Sequence, residues 1–416
     1  MRLSGNITKT IKTIPSDEQA TNAKLLIRAG FIHKEMAGVY SYLPLGLKVI
    51  ENIKQIVREE MNALGASELL MSSLQAKDTW TSTKRWDDSV VDIWFKSQLK
   101  NGTEVGFAWS HEEPLMLMAQ KLVQSYRDLP ISVYQFQNKF RNEIRSKSGV
   151  MRGREFIMKD MYAFSRSQEE LDRFYAEAQK AYLKVFERIG IGDYTFMTFA
   201  SGGAFTQFSH EFQTVTDTGE DTIYIDRKKR LAVNEEVFND EVISQLGLAK
   251  DELEKVKAAE VGNIFNFGSV KGEQMGVYYA AEDGERRPIF LSSYGIGISR
   301  LMGVIAEHFN DEHGLVWPLP IAPVKVYIIA IGSRASLNAA DELYNVLTEQ
   351  GVAVIYDDRD VRPGEKFADA DLMGIPWRVV VSDKPHKDGR YEVKARTETT
   401  LKHMNKKELL GLVKPE

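Results

Sequence analysis

The sequence predicts an α/β (α+β) protein: a mainly antiparallel sheet flanked by helices, followed by a smaller, parallel-rich α/β domain. Three observations carry this. Strand-like segments cluster before residue 300 without regular strand–helix alternation. Beyond Pro323 strands and helices do alternate. Between them, Trp317-Pro318-Leu319-Pro320-Ile321-Ala322-Pro323 breaks regular structure and stiffens a linker. The 416 residues therefore divide into a domain at 1–317, a Pro-rich linker at 318–323 and a domain at 324–416, each long enough for its own core.

Residues 46–64 place Ile50, Ile53, Val57 and Met61 on one helical stripe, and Gly65 stands where a helix C-cap belongs. A strand through Glu68-Leu69-Leu70-Met71 is expected next. Strands at 105–109 and 131–137 enclose a helix at Pro114–Tyr126; a strand at 155–165 precedes a long helix at 168–189, striped by Leu171, Phe174, Ala178, Tyr182 and Val185. Residues 226–258 are a charged interlude with helical patterns over Glu235–Leu246 and Lys250–Lys257, read as a small insertion on the sheet. Strands resume at Asn263–Phe267, Gly276–Ala280 and Ile289–Ser292. The second domain reads as strands Val324–Gly332, Val352–Tyr356 and Trp377–Ser382, helices Ser336–Gln350 and Glu365–Met373, and an edge strand Tyr391–Ala395.

Hydrophobic residues at 43% and charged residues at 27% describe an ordinary soluble globular protein. No window has the apolar length to span a bilayer, and the N-terminus lacks a secretory apolar core, so a cytoplasmic chain with no membrane partner is expected. With no cysteine there is no disulfide, thiolate ligand or cysteine nucleophile; the seven histidines form no His-x-x-x-His pair, so no zinc is expected. A net charge of −5 argues against a protein coated by nucleic acid but leaves room for a local basic track. Lys139, Arg141, Arg145, Lys147, Arg152 and Arg154 form one, opposed by Glu143 and Glu155; by itself such a run fits a solvated loop equally well.

Arg141 and Glu143 stand two apart, which on a strand turns both to one face. The guanidinium offers a fork to a phosphate or carboxylate, and the glutamate can accept from an adenine amino group. Arg152 could add a terminal-phosphate contact and Phe156 a flat surface for a base. Taken alone, Arg-x-Glu also fits a surface hairpin with ordinary ion pairs. Gly295, Gly297 and Arg300 form a strand-to-helix junction that lacks the third glycine of a dinucleotide fingerprint; the cation just inside it favours an anionic ligand. Ser110-His111-Glu112-Glu113-Pro114 puts hydroxyl, imidazole and carboxylates at a strand-to-helix turn, where Ser110 serves equally well as a helix N-cap. Glu260 could bind a metal carried by a triphosphate, or be a surface acid.

In this order, the segments resemble the prolyl-tRNA synthetases of bacterial type over nearly the whole chain. Leu25-Leu26-Ile27-Arg28-Ala29-Gly30-Phe31-Ile32 with Tyr42-Leu43-Pro44-Leu45-Gly46 is similar to the N-terminal signature, Gly149-Val150-Met151-Arg152-Gly153-Arg154-Glu155-Phe156-Ile157-Met158-Lys159-Asp160 to the second, and Ser292-Ser293-Tyr294-Gly295-Ile296-Gly297-Ile298-Ser299-Arg300 to the third. Asp357-Asp358-Arg359, Arg362-Pro363-Gly364 and Ala368-Asp369-Ala370-Asp371-Leu372-Met373-Gly374-Ile375-Pro376 resemble the family's anticodon-binding domain.

The resemblance implies a class II synthetase antiparallel-sheet catalytic domain, a C-terminal α/β anticodon-binding domain, and a homodimer that activates L-proline with ATP and Mg2+ and charges tRNA(Pro). It implies that Arg141 holds the α-phosphate and the proline carboxylate, that Glu143 reads adenine and Phe156 stacks on it, and that Arg152 and Arg300 bind the terminal phosphate, with Asn263, Gly295 and Gly297 lining the ATP site. Ser110 and Glu112 would receive the imino group, while Met158, Asp160, Tyr162 and Phe265 shape the pocket. Glu260 would help carry magnesium, and Arg145 would read the acceptor stem.

The chain departs from the family's pattern in places. Ser72 stands where the first class II signature usually ends its strand in a proline, Ser110 where threonine is usual, and Asn263 where histidine is usual; residues 201–208 drift from the usual Gly-Gly-Ser. The short 226–258 interlude stands where many bacterial members carry a full editing domain, which implies no cis editing of alanyl-tRNA. A related class II enzyme for threonine, serine or glycine, and a paralogue without chemistry, are the competing readings; retention of Arg141, Arg152 and Arg300 speaks against the second.

Overall fold

The computed structural model describes residues 1–13, 18–144, 148–383 and 389–414. They form two compact units, residues 37–39 with 54–304, and residues 1–36 and 40–53 with 305–416.

In the first unit, among the described residues, nine strands make one sheet in the order Phe208–Val215, Thr195–Ser201, Leu231–Asn234, Asp221–Asp226, Glu254–Gly268, Phe290–Gly297, Glu155–Ser165, Ile131–Phe140, Ser67–Glu68. Neighbours are antiparallel except Leu231–Asn234 on Thr195–Ser201 and Ser67–Glu68 on Ile131–Phe140. Phe208–Val215 also pairs with Glu254–Gly268, so the five strands at that end close on one another. The helix Gln168–Arg188 covers one face. Ser167 caps it by accepting from the Glu170 amide, Glu169 and Glu170 sit at its positive end, and Leu171, Ala178, Tyr182 and Val185 are buried against the sheet.

The interlude is built onto the main sheet. Asp221–Asp226 and Leu231–Asn234 are strands of the main sheet, and Lys250–Lys257, predicted helical, is a single 3-10 turn running into the long strand Glu254–Gly268. Its charges recur at a spacing that mimics a helix. Pairing of Glu254–Ala258 with Asp221–Ile225 decides for the strand. The pattern over Glu235–Leu246 shortens to a helix at Asp240–Gln245, because Asn239 caps it from Val242 N. The strand predicted over Glu68–Met71 pairs only at Ser67–Glu68; beyond it Met71 N donates to the Gln135 side chain. The helix predicted at Pro114–Tyr126 runs Glu112–Leu122, and a separate 3-10 turn, capped by Ser125, follows at Tyr126–Asp128.

In the second unit a five-stranded sheet runs Val354–Asp357, Val326–Ile331, Trp377–Ser382, Tyr391–Ala395, Lys402–Met404; the first three are parallel and the rest antiparallel. Tyr391–Ala395 is thus not the edge: Lys402–Met404 pairs outside it, leading into the helix Lys406–Val413 with an Asn405/Glu408 capping box. Buried Ile328, Leu343, Val379, Val393 and Leu409 form its core. The N-terminal segment joins this unit, where the Met1 amino group donates to Val354 O at 2.7 Å and the Arg2 guanidinium lies 5.0 Å from the Tyr356 ring.

Candidate active site

Strand pairing in the first unit brings distant motifs onto one face. Met158 stands opposite Gly297, Asp160 opposite Gly295 and Tyr162 opposite Ser293, and across the next pairing Asn263 faces Gly295 and Phe265 faces Ser293. The period of two turns Met158, Asp160 and Tyr162 to the same side. One cleft there collects these with Ser110, Glu112, Arg141, Phe156, Glu260 and Arg300. Glu143 and Arg152 line an adjoining recess that shares Arg141, Glu260 and Arg300 with the cleft. Arg145 lies outside the described residues.

At one end stand the arginines. The strand ends at Phe140, so Arg141 and Glu143 are not strand residues; Arg141 N donates to Arg154 O, and Glu143 N turns back to Arg141 O. Among the described residues nothing accepts a hydrogen bond or ion pair from the Arg141 guanidinium. Its Nε is shielded from solvent, and the group lies 5.3 Å from the Phe156 ring. Burial lowers its pKa, Glu260 opposes that, and Arg300 lowers it further. A cation so placed lacks an anion. Arg300 Nε donates to Met151 O at 2.7 Å and its Nη1 to Glu260 O at 2.6 Å, which fixes its position within the helix Ile298–His308. A Cβ on Gly297 would stand 3.0 Å from Arg300 Cβ, so a larger residue here would crowd the base of that arginine. Arg152 donates to Glu143 at 2.8 Å and also pairs with Glu220.

At the other end the polar groups are buried. Ser110 is not the helix cap; the cap position falls on His111, and the Ser110 hydroxyl donates to Glu112 Oε2 at 2.5 Å. Asp160 Oδ2 accepts from Lys139 at 2.8 Å, Gln135 at 2.9 Å and Tyr162 at 2.8 Å, while its buried Oδ1 has no partner among the described residues. Burial would raise this carboxyl's pKa, but Lys139 and His111 hold it below the usual range. Lys139 therefore leaves the basic track; it is a buried counter-ion to Asp160. It also donates to His111 Nδ1, so the imidazole proton sits on Nε2, 3.0 Å from Ser72 O. Burial first, then Lys139, lowers the His111 pKa to about 4, and the ring is neutral.

Three further residues complete the site. Phe205, in the turn between Thr195–Ser201 and Phe208–Val215, stacks on Phe265 with centroids 4.5 Å apart. Glu211 enters the cleft between Gln213, Asn234 and Asn263, and burial together with Glu260 pushes its pKa up to about 8. Arg85 lies behind the pocket against Glu112 and Glu113. Strand alternation in Ser209-His210-Glu211-Phe212 could have revealed Glu211, because it turns to the face opposite His210. His210 is turned away from the cleft: its Nδ1 lies 2.9 Å from the Tyr175 hydroxyl, which donates to Ile264 O at 3.1 Å.

Residues 95–309 match the family described as tRNA synthetase class II core domain (G, H, P, S and T), and residues 325–416 the anticodon binding domain. A proline–tRNA ligase of Rickettsia africae is 37% identical over 412 residues, covering 95% of this chain and 96% of that protein. One from Rickettsia akari is 36% identical with both chains covered completely. Among solved structures, a Giardia lamblia prolyl-tRNA synthetase in complex with prolyl-adenylate matches with a TM-score of 0.76 at 18% identity, covering 93% of this chain and 74% of that one. A Cryptosporidium parvum prolyl-tRNA synthetase complexed with L-proline and AMP matches with a TM-score of 0.76 at 16% identity, covering 96% and 75%; at these identities both show the shared fold. With relatives this similar over the full length, and a core-domain match over more than half of its residues, the chain belongs to the proline–tRNA ligase family of class II aminoacyl-tRNA synthetases.

Proposed function

We propose that the protein joins L-proline to ATP as prolyl-adenylate, releasing pyrophosphate, and then transfers the prolyl group to the 3′ end of tRNA(Pro). The observation that carries this is Arg141, a guanidinium without a protein acceptor among the described residues, placed between an arginine-lined recess and a buried acidic pocket. The proline carboxylate attacks the α-phosphate; one P–O bond forms and the bond to pyrophosphate breaks. Arg141 neutralises charge on both reactants there, and Arg152 and Arg300 hold the terminal phosphate. In the second step the terminal ribose hydroxyl of tRNA attacks the anhydride carbonyl and AMP leaves. Neither step needs a covalent nucleophile, so positioning and electrostatics carry the rate.

Glu112 and the unpartnered Asp160 Oδ1 receive the imino group, and Phe265 and Met158 bound the ring. Glu143 accepts from the adenine amino group and Phe156 stacks on the base, with Asn263, Gly295 and Gly297 beside it. The described residues hold no cluster of three or more His, Asp or Glu, but Mg2+ in a nucleotide site takes only one or two carboxylates plus phosphate oxygens. Glu260 and Glu211, the second with its pKa raised by burial and by Glu260, fit that need and would hold Mg2+, which supplies charge neutralisation on the phosphates. We further propose that the protein is cytoplasmic and a homodimer, that Arg145 meets the acceptor stem, that residues 1–317 and 324–416 act as catalytic and anticodon-binding domains, and that editing in cis is absent.

Pyrophosphate exchange into ATP, run against each of the twenty amino acids, tests the main reading. Exchange with proline well above the other amino acids is expected, and preferential exchange with threonine, serine or glycine would reassign the substrate.

A further inference from the structure

Arg85 is 3% exposed. Its Nη1 reaches both oxygens of Glu113, at 3.0 and 2.9 Å, and Glu112 Oε2 at 3.3 Å. Lys271 also donates to Glu113, at 2.7 Å. Burial works against the Glu113 charge, but Arg85 and Lys271 together hold its pKa below the usual range. Arg85 and Lys271 share the charge balance at Glu113, Arg85 first, and the Arg85 guanidinium has further donors beyond that pair.

The rest of the guanidinium faces aromatic rings. Among the described residues its buried Nε and Nη2 have no acceptor, and its central carbon lies 4.4 Å from the Trp109 ring and 4.8 Å from the Phe205 ring. Phe205 is the ring that stacks on Phe265 over the pocket. The preceding residue, Lys84, holds a left-handed φ of 59°, a conformation that a lysine keeps only when its surroundings impose it.

We propose that Arg85 is a positioning residue that sets amino-acid specificity, because one side chain fixes both the carboxylate and the aromatic wall of the pocket. Glu112 Oε2 is held by Ser110 and Arg85, which leaves its other oxygen to meet the substrate's ammonium group. The guanidinium plane supports Phe205, and the Phe205–Phe265 pair bounds the ring carbons of a small cyclic amino acid. Alanine lacks two of those carbons and gains little from the wall. This inference rests on reading the cleft as a proline pocket.

The test is exchange kinetics with proline and alanine for the full chain, Arg85→Lys, Phe205→Leu and the double variant, with thermal melts alongside. Lysine keeps the positive charge but loses the planar fork. In each single variant the proline KM rises about tenfold or more, and the preference for proline over alanine falls by about the same factor. The ATP KM stays within about twofold, and the double variant is no worse than the poorer single one. Should Arg85→Lys not fold, Phe205→Leu carries the test through the same readouts. An unchanged proline KM in any folded variant, a parallel rise in ATP KM, or effects that multiply in the double variant would overturn the role of Arg85. Absence of proline-dependent exchange in the unaltered protein would instead overturn the proline reading itself.

Discussion

Arg141 and His111 show how much one side chain in this site can be asked to do. Arg141 has no acceptor to lose among the described residues, so Arg141→Ala strands no buried carboxylate there. The melting temperature of that variant should equal or exceed that of the parent. Exchange activity should fall by about 10²–10³-fold or more, the scale of removing one preorganised donor at a developing charge. A variant that melts early, or exchanges normally, would show that the guanidinium is structural. His111 gives a pH dependence. Its folded pKa of about 4 lies below the ordinary value of 6.5. Above pH 6.5 both states are neutral and the stability is fully present; as pH falls toward 4 the unfolded chain takes up a proton that the folded one refuses. Stability of this unit should drop by about 3 kcal/mol across that window, and His111→Asn should flatten the drop. Denaturant titrations at several pH values check this, and parallel curves for the two proteins would count against it.

The helix Ile298–His308 carries Arg300 into the site and also abuts the turn Gly149–Met151. A Cβ on Gly303 would meet Val150 Cγ2 at 2.7 Å and Met151 Cγ at 3.0 Å. Gly303→Val should therefore push the turn that gives Arg300 its Met151 carbonyl and that leads into Arg152. A rise in ATP KM of roughly tenfold is expected, with the proline KM nearly unchanged and a stability loss of about 1–3 kcal/mol. Equal rises in both constants would mean that the turn serves the whole cleft. Elements with clean local signals were legible in advance: Glu155–Ser165 was predicted at its observed limits, and Gln168–Arg188 to within one residue, because hydrophobic period and caps agree there. Glu254–Lys257 was not, since the charges of this exposed strand end recur at a spacing that mimics a helix and only the partner strand decides. The site divides the same way. Arg141, Glu143 and Arg300 sit in contiguous motifs. Phe205 and Arg85 matter through pairings and stacking between segments far apart in sequence, and no local pattern marks them; Glu211 is marked only by strand alternation beside His210.

At the scale of the molecule, some associations were hidden because they join remote parts of the chain. Met1 and Arg2 pack on Val354 and Tyr356, far beyond the reach of any window pattern. The stretch between the second and third signatures was legible in length but not in form. Residues 216–258 build two strands of the main sheet, the start of a third and one short α-helix, with buried Ile223, Ile225, Ala232 and Val233 committed to cores of that unit. Hydrolysis of a mischarged tRNA needs a second pocket, separate from the one that activates the amino acid, and a segment whose apolar residues are already spent on the main sheet has none left to enclose one. The purified protein should therefore leave alanyl-tRNA(Pro) intact at the rate of its uncatalysed hydrolysis, while charging tRNA with proline. Discrimination against alanine must then come from the activation pocket, so the proline-to-alanine ratio in exchange should account for the ratio in charged tRNA. Rapid deacylation by the protein alone, or a charging ratio far above the exchange ratio, would place an editing activity elsewhere in the chain.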